Sequence, residues 1–172
     1  MSNLSSKVKS FLKLKKKDII ILLPICSLIV FCDLITKHIA FSIKEPWTYI
    51  LPIFNILKVK NFGVSFGLFN ENPEIMFYVI IVLDLAIMLY ILYCFQTKKL
   101  YTHPTLFSVS LSFIIGGAIG NFVDRIFTGS VRDFLDFHIG ASHWPCFNIA
   151  DTFVCIGVGI WIICELFFKK KQ

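Results

Sequence analysis

Four long apolar runs dominate the sequence and limit the folds that the chain can adopt. They cover about 19–40, 74–95, 105–124 and 149–168. A helix rises about 1.5 Å per residue, so about 20 apolar residues cross a hydrocarbon core of about 30 Å. Because 56% of the 172 residues are hydrophobic, a soluble domain is excluded. We therefore predict an all-α membrane protein with four transmembrane helices, in which 1–172 form a single integral-membrane domain.

The lysines predict the orientation of these helices in the membrane. Eleven of the fifteen lysines lie in three regions: a basic tail over 1–18, the short second connection with Lys98 and Lys99, and the C-terminal Lys169, Lys170 and Lys171. Basic segments next to membrane spans tend to remain cytoplasmic. With four spans the three regions fall on one side, which predicts that both termini are cytoplasmic. The net charge of +6 then reflects topology, and we expect no nucleic-acid partner.

Two longer segments, roughly 41–74 and 124–149, are then predicted to face outward. In the first, Leu57-Lys58-Val59-Lys60 alternates with period two before Gly63 and Gly67, which favours a small extracytoplasmic β element. Asn72-Pro73-Glu74 is typical of a helix start. In the second segment, we expect the part after 133 to fold back as an outer loop over the mouth of the bundle.

Most of the acids near the spans are predicted to lie toward the outer side, where ionisable groups usually mark a site. They are accompanied by amides and one arginine; the whole set is Asp33, Asp124, Asp133, Asp136, Asp151, Asn61, Asn121, Asn148 and Arg125. Each acid also has a structural interpretation. Asp33 and Lys37, four residues apart, favour an ion pair within one helix. Asp133 alone would be a solvated loop residue, and Asp151 could cap the fourth helix.

The glycines of "GGAIGNFVDRI" favour close helix packing. Gly116 and Gly120 have the small-xxx-small spacing that lets a neighbouring backbone approach. Asn121, Asp124 and Arg125 follow on roughly the same face, where they could form a structural polar cluster or part of a site.

Asp133 and Asp151 together suggest a chemistry that neither suggests alone. Two carboxylates that share a site tend to retain one proton, so one can deprotonate water while the other donates a proton. Such a pair can hydrolyse a peptide bond without a metal or a covalent intermediate. The sequence contains no H-E-x-x-H motif and no zinc spacing among its four histidines, and no serine lies in the strand-to-helix context of a nucleophile elbow. We expect neither a metal nor a cofactor.

Five motifs occur in the order and at about the spacings found in the bacterial lipoprotein signal peptidases, or signal peptidase II. The resemblance spans roughly 19–168, and five ordered motifs on a four-span topology are a specific signal. The motifs are "DLITK" (33–37), "NFGVSFGLF" (61–69), "GNFVDR" (120–125), "VRDF" (131–134) and "FNIAD" (147–151).

The resemblance implies a membrane aspartic endopeptidase of the bacterial inner membrane. Such an enzyme removes the signal peptide from diacylglyceryl-modified prolipoproteins, cutting before the lipidated cysteine. The implied catalytic residues are Asp133 and Asp151. Further positions match residues that bind substrate or support the site: Asp33, Lys37, Asn61, Gly63, Asn121, Asp124, Arg125, Asn148 and Ala150. For Asp124 we expect a structural role. The implied partners are prolipoproteins and the phospholipid bilayer, and we expect a monomer.

Two charged residues, Asp84 and Arg132, have unusual positions. Asp84 lies deep in the second span, and we predict that it is neutral or bonded to polar groups of a neighbouring helix, such as Ser110 or Ser112. Arg132, beside Asp133, could lower a pKa or bind phospholipid head groups.

The main alternative function is a small proton- or cation-coupled transporter, for which Asp84 is the best support. A thiol oxidase would need paired outward cysteines, and only Cys146 lies in an outer segment.

Overall fold

A computed structural model describes residues 16–63 and 73–170. Within these residues, four α-helices, four strands and one 3-10 helix follow one another: α1 (Lys16–Ser42), β1 (Trp47–Leu51), β2 (Phe54–Asn61), α2 (Pro73–Cys94), the 3-10 helix (Phe95–Leu100), α3 (Pro104–Thr128), β3 (Val131–Ile139), β4 (Ser142–His143) and α4 (Ile149–Phe167). The four α-helices are long and apolar enough to cross a membrane. The predicted fold class, four membrane helices with a small β element, is confirmed. The tail before Lys16, Gly67, the proposed cap Asn72 and Lys171 lie outside the described residues.

Successive helices run in opposite directions, which gives the bundle two distinct ends. The sheet lies between α1 and α2 and between α3 and α4 in the chain, so all four strands lie at one end, called here the sheet end. The opposite end carries the 3-10 helix and the residues after α4, and it is called the lysine end. The described residues of the five motifs lie in the strands, in the segments next to them or in the adjacent helix turns.

Helix α3 is the central helix because it packs against α1, α2 and α4. Its glycines allow this. A Cβ on Gly116 would lie 3.2 Å from the Cα of Cys26 in α1, and one on Gly117 would lie 2.4 Å from the carbonyl oxygen of Ala150 in α4. The close packing predicted from the glycine spacing is confirmed, and it brings three helices together where the polar residues lie.

The sheet is antiparallel, with strand order β1-β2-β3-β4. It extends further along the chain than the sequence indicated, since Val131–Ile139 forms β3 and pairs with β2 through Val59 and Asp133. Acids within "VRDFLDFHI" obscured the strand pattern, because they are buried by contacts with amides instead of facing water. Asp133 thus lies on a paired strand, not in a solvated loop.

Candidate active site

Lys37 lies at the centre of a buried polar network at the sheet end. Its side chain is fully buried. The Nζ donates to Oδ2 of Asp33 at 2.7 Å and to Oδ1 of Asn121 at 2.8 Å. It also lies 3.7 Å from Oδ2 of Asp124. The predicted ion pair between Asp33 and Lys37 is therefore present, and it is part of a larger cluster that joins α1 to α3.

Asp33 also connects α1 to the first turn of α4. Its second oxygen, Oδ1, accepts a hydrogen bond from the backbone N–H of Ala150 at 2.9 Å. Gly120 allows this approach, because a Cβ there would lie 2.7 Å from Oδ2 of Asp33. The free N–H groups at a helix start carry partial positive charge, so the carboxylate stabilises the start of α4.

Asp151 belongs to the cap of α4 and to the polar network at the same time. Asn148 is the N-cap residue: its side chain accepts from the backbone N–H of Asp151 at 2.9 Å. In return, Oδ2 of Asp151 accepts from the backbone N–H of Asn148 at 3.2 Å. Oδ1 of Asp151 accepts from Nδ2 of Asn121 at 2.7 Å. A capping box thus fixes the carboxylate and directs one oxygen toward α3.

Asp133 reaches the same network from β3. Its side chain is buried, and each oxygen accepts a side-chain amide: Oδ2 from Nδ2 of Asn61 at 3.0 Å, and Oδ1 from Nδ2 of Asn148 at 2.6 Å. Burial raises the pKa of Asp133 to about 6, and the charge of Asp151 acts in the same direction. The hydrogen bonds from the two amides oppose this rise in pKa. Asp133 therefore retains a proton at far higher pH than an exposed aspartate.

Asn61 is oriented toward Asp133 by the turn that follows β2. Its Oδ1 accepts from the backbone N–H of Gly63 at 2.8 Å, which leaves Nδ2 for the carboxylate. Gly63 has a φ of +84°, in the left-handed region that favours glycine. Asn61 and Gly63 of the "NFG" motif therefore both serve the contact with Asp133.

The carboxylate of Asp124 binds Arg132 through both of its oxygens. Its Oδ1 accepts from Nε of Arg132 at 2.7 Å, and its Oδ2 accepts from the backbone N–H of the same residue at 2.7 Å. The guanidinium also lies 5.8 Å from the centre of the Phe41 ring. Arg132 thus contacts Asp124 and not Asp133, because successive residues of a strand point to opposite faces. These contacts agree with the structural role expected for Asp124.

Asp84 bonds to a polar group of a neighbouring helix, as predicted, but the two serines given as examples are not its partners. Its carboxylate forms an ion pair with Nη1 of Arg125 in α3. The two serines proposed for it bond to their own helix: Ser110 Oγ donates to the carbonyl of Phe107 at 2.7 Å, and Ser112 Oγ donates to that of Ser108 at 2.8 Å. A hydroxyl satisfied within its helix is a weaker partner than a guanidinium. Arg125 therefore joins α2 to α3.

A second buried acid, Asp136, belongs to strand β3 of the sheet, and the sequence did not indicate its partners. Asp136 in β3 accepts from Nδ2 of Asn55 at 3.1 Å and contacts Nδ1 of His143 at 2.8 Å. Burial opposes ionisation here, but the hydrogen bonds from His143 and Asn55 outweigh it and lower the pKa of Asp136. This cluster ties β2, β3 and β4 together, and the sequence carries no periodic signal for it.

Of the eleven residues expected at the site, nine lie in one connected set of hydrogen bonds. These are Asp33, Lys37, Asn61, Gly63, Asn121, Asp133, Asn148, Ala150 and Asp151. Asp124 adjoins them through Lys37, whereas Arg125 contacts α2. Within 16–63 and 73–170, no group of three or more His, Cys, Asp or Glu side chains is arranged to hold a metal ion.

Comparison with known proteins gives one consistent family. Residues 25–167 match the family model described as signal peptidase (SPase) II. A lipoprotein signal peptidase from Sulfurihydrogenibium sp. (strain YO3AOP1) is 37% identical over 91% of this chain and 97% of that protein. One from Francisella tularensis subsp. novicida (strain U112) is 41% identical over 84% of this chain and 91% of that protein.

Two solved structures, each described as a bacterial membrane enzyme, share the fold. One has a TM-score of 0.64 and 30% identity, covering 84% of this chain and 86% of that one. The other has a TM-score of 0.66 and 31% identity, covering 84% and 92%. The resemblance seen in the motifs is confirmed by sequence and by fold. The chain belongs to the signal peptidase II family, the aspartic lipoprotein signal peptidases of bacterial membranes.

Proposed function

We propose that Asp133 and Asp151 are the catalytic pair with which this chain hydrolyses the bond before the diacylglyceryl-modified cysteine of a prolipoprotein. One observation carries the proposal: Asn148 contacts both acids, through its Nδ2 to Asp133 and through its backbone N–H to Asp151. Two carboxylates from different elements, β3 and α4, are thereby held about a single residue. Such an arrangement suits hydrolysis by acid and base without a covalent intermediate.

The two acids have different surroundings, which supports different roles. Asp133 is 2% exposed, and burial raises its pKa to about 6. Asp151 is less buried and accepts two hydrogen bonds within the cap and from Asn121. We assign the retained proton to Asp133, which donates it to the scissile carbonyl oxygen. Asp151, as carboxylate, takes a proton from the attacking water, so that a tetrahedral gem-diol forms. As the C–N bond breaks, Asp151 gives this proton to the leaving nitrogen and Asp133 recovers its own proton from a gem-diol hydroxyl.

The remaining site residues position this pair and do not react. Lys37 neutralises Asp33 and donates to Asn121, whose own amide then faces Asp151. Asn61, which accepts a hydrogen bond from Gly63, donates to Oδ2 of Asp133 and fixes that oxygen. Ala150 and Asp33 hold the start of α4 against α1. Asp124 forms an ion pair with Arg132 of β3, and Arg125 forms one with Asp84 of α2, so we assign both residues supporting roles.

The location of the pair suits a lipid-anchored substrate. The acids lie at the sheet end, where α4 starts and β3 runs beside β2. If the lysine end is cytoplasmic, as the basic residues favour, the pair lies near the outer surface of the membrane. A diacylglyceryl group anchored among the lipids then places the adjacent peptide bond at the depth of the pair.

The test uses the full-length protein, purified in a non-ionic detergent, and two synthetic prolipoprotein peptides. The peptides differ only in whether the cysteine carries diacylglycerol. We expect cleavage of the modified peptide immediately before its cysteine, read by mass spectrometry, and little cleavage of the unmodified one. Equal cleavage of both peptides, or cleavage at another bond, would contradict the proposed specificity.

A further inference from the structure

A cavity of about 540 Å³ lies at the lysine end, far along the chain and across the bundle from the acid pair. Three basic side chains line it, each from a different segment: Lys17 from α1, Lys98 from the 3-10 helix and Lys170 from the residues after α4. Because the three lysines come from different segments, their charges come together only in the folded chain.

The wall of the cavity combines polar and apolar groups. Tyr101, Thr105 and Ser108 contribute hydroxyl-bearing side chains, while Ile21 and Pro104 contribute apolar surface. Asp18 also lines the cavity, where it forms an ion pair with Lys98. One acid against three lysines leaves an excess of positive charge. Such a lining suits an anionic group attached to an apolar molecule.

The first turn of α3 adds to the positive potential of the cavity. Pro104 is the first residue of this 25-residue helix, and the preceding His103 makes no side-chain capping hydrogen bond in the described part of the chain. The N–H groups of a helix start carry partial positive charge and commonly bind anions. Here that charge adjoins the lysines of the same cavity.

Backbone contacts hold the lining segments in place. The N–H of Lys170 donates to the carbonyl of Leu100 at 2.7 Å, and the N–H of Thr102 donates to that of Phe168 at 2.8 Å. Tyr101 and Lys169 form an antiparallel bridge between the same two segments. The lysines therefore project from a fixed frame, which reduces the ordering cost of binding.

We propose that this cavity binds the phosphate of an anionic phospholipid from the surrounding bilayer. The cavity lies where the membrane helices end, so its occupant must be available at the lipid headgroups. Basic pockets between transmembrane helices on the cytoplasmic side bind such headgroups in other membrane proteins. The bound lipid would join α1, α3 and the C-terminal segment, and would stabilise the fold without contacting the catalytic pair.

The test titrates the full-length protein, in a non-ionic detergent, with a short-chain phosphatidylglycerol. Thermal unfolding and direct binding are followed in parallel, with the phosphatidylcholine of the same chain length and inorganic phosphate as comparison ligands. We expect phosphatidylglycerol to raise the Tm more than either comparison ligand does. An equal shift from inorganic phosphate would overturn the assignment to a lipid, and an equal shift from phosphatidylcholine would overturn the requirement for anionic charge.

A pair of double variants separates the cavity from general attraction to a basic surface. Lys17→Gln/Lys170→Gln removes two lining charges, and we expect it to weaken phosphatidylglycerol binding by roughly 30-fold. Lys16→Gln/Lys169→Gln removes two charges from adjacent positions that do not line the cavity, and we expect near-normal binding. Equal weakening in both doubles would overturn the proposal. Should the first double unfold too easily, Lys17→Gln alone is expected to weaken binding in the same direction.

Discussion

The Nδ2 of Asn148 donates to Oδ1 of Asp133 at 2.6 Å, which connects the cap of α4 directly to β3. The same side chain accepts from the backbone N–H of Asp151 and donates to Asn121 at 3.1 Å. One residue thus starts a membrane helix and orients both carboxylates. The helix start and the acid pair are therefore coupled, and a change at Asn148 should affect both stability and cleavage.

Replacing Asn148 separates these two effects. Serine retains a capping oxygen but lacks the amide that donates to Asp133, whereas alanine lacks both. We expect Asn148→Ser to retain most of the thermal stability and to lose most of its kcat. Asn148→Ala should lose as much kcat and also about 1 kcal/mol of stability through the missing cap. Cleavage rates and thermal unfolding in detergent measure both. Normal kcat in the folded serine variant would contradict the positioning role.

Gly120 is required by the carboxylate of Asp33. A Cβ there would lie 2.7 Å from Oδ2 of Asp33, so Gly120→Ala should lower the stability by about 1–3 kcal/mol. The matched control is Gly159→Ala in α4, where an added Cβ meets no atom within 4 Å among the described residues. The control should be neutral or slightly stabilising, because alanine favours helix more than glycine does. Equal thermal stability of the two variants would contradict the close approach.

The ion pair between Asp84 and Arg125 is expected to hold α2 against α3. Asp84→Leu leaves a largely buried guanidinium without its partner and should cost roughly 3 kcal/mol of stability. Adding Arg125→Met should cost less than the sum of the two single changes, since the unpaired charge is then gone. Thermal unfolding of the four proteins measures this coupling. Additive losses would show that the pair contributes nothing. Asp84→Leu should still cleave, because Asp84 contacts neither catalytic acid.

The raised pKa of Asp133, about 6, predicts the alkaline limb of the pH profile. If Asp133 donates a proton, kcat/KM should fall as the pH rises above about 6. The contribution of Asp133 to the stability of the fold also decreases as the pH rises. The folded pKa exceeds the ordinary value of 3.8, so the stabilisation is complete below about pH 3.8 and is lost as the pH rises through about 6.

The control for this profile is Asp133→Asn, which cannot titrate there. Its Tm should depend less on pH between about pH 5 and pH 7 than the Tm of the wild type does. A wild-type kcat/KM that rises through pH 6 and then stays constant to about pH 8 would reverse the assigned roles of the two acids.

The sequence was sufficient to predict the helices and to select residues that the fold brings together in one polar network. Runs of about 20 apolar residues have few alternatives to spanning a membrane. An unpaired acid near lipid is energetically unfavourable, so acids close to the spans are expected to lie beside polar or charged partners. The cap at Asn148 and Asp151 was partly visible as well, because "FNIAD" has the residue types of a helix start.

Partners between distant segments could not be predicted from local patterns. Nothing near Asp84 indicates that a residue 41 positions away supplies its counter-ion. Strand β3 was missed because its acids are satisfied by amides from β2 and the α4 cap. The transporter alternative, which depended on Asp84, is set aside by the family and by this ion pair.

The most direct measurement is the cleavage of a diacylglyceryl-modified prolipoprotein by wild type, Asp133→Asn, Asp151→Asn and Asp124→Asn, with the thermal unfolding of each. We predict that the first two variants fold and do not cleave. Asp124→Asn should lose stability, since Arg132 is then left without its carboxylate, yet should retain cleavage. Cleavage by a folded Asp133→Asn, together with a folded but inactive Asp124→Asn, would contradict the account and assign the second catalytic acid to Asp124.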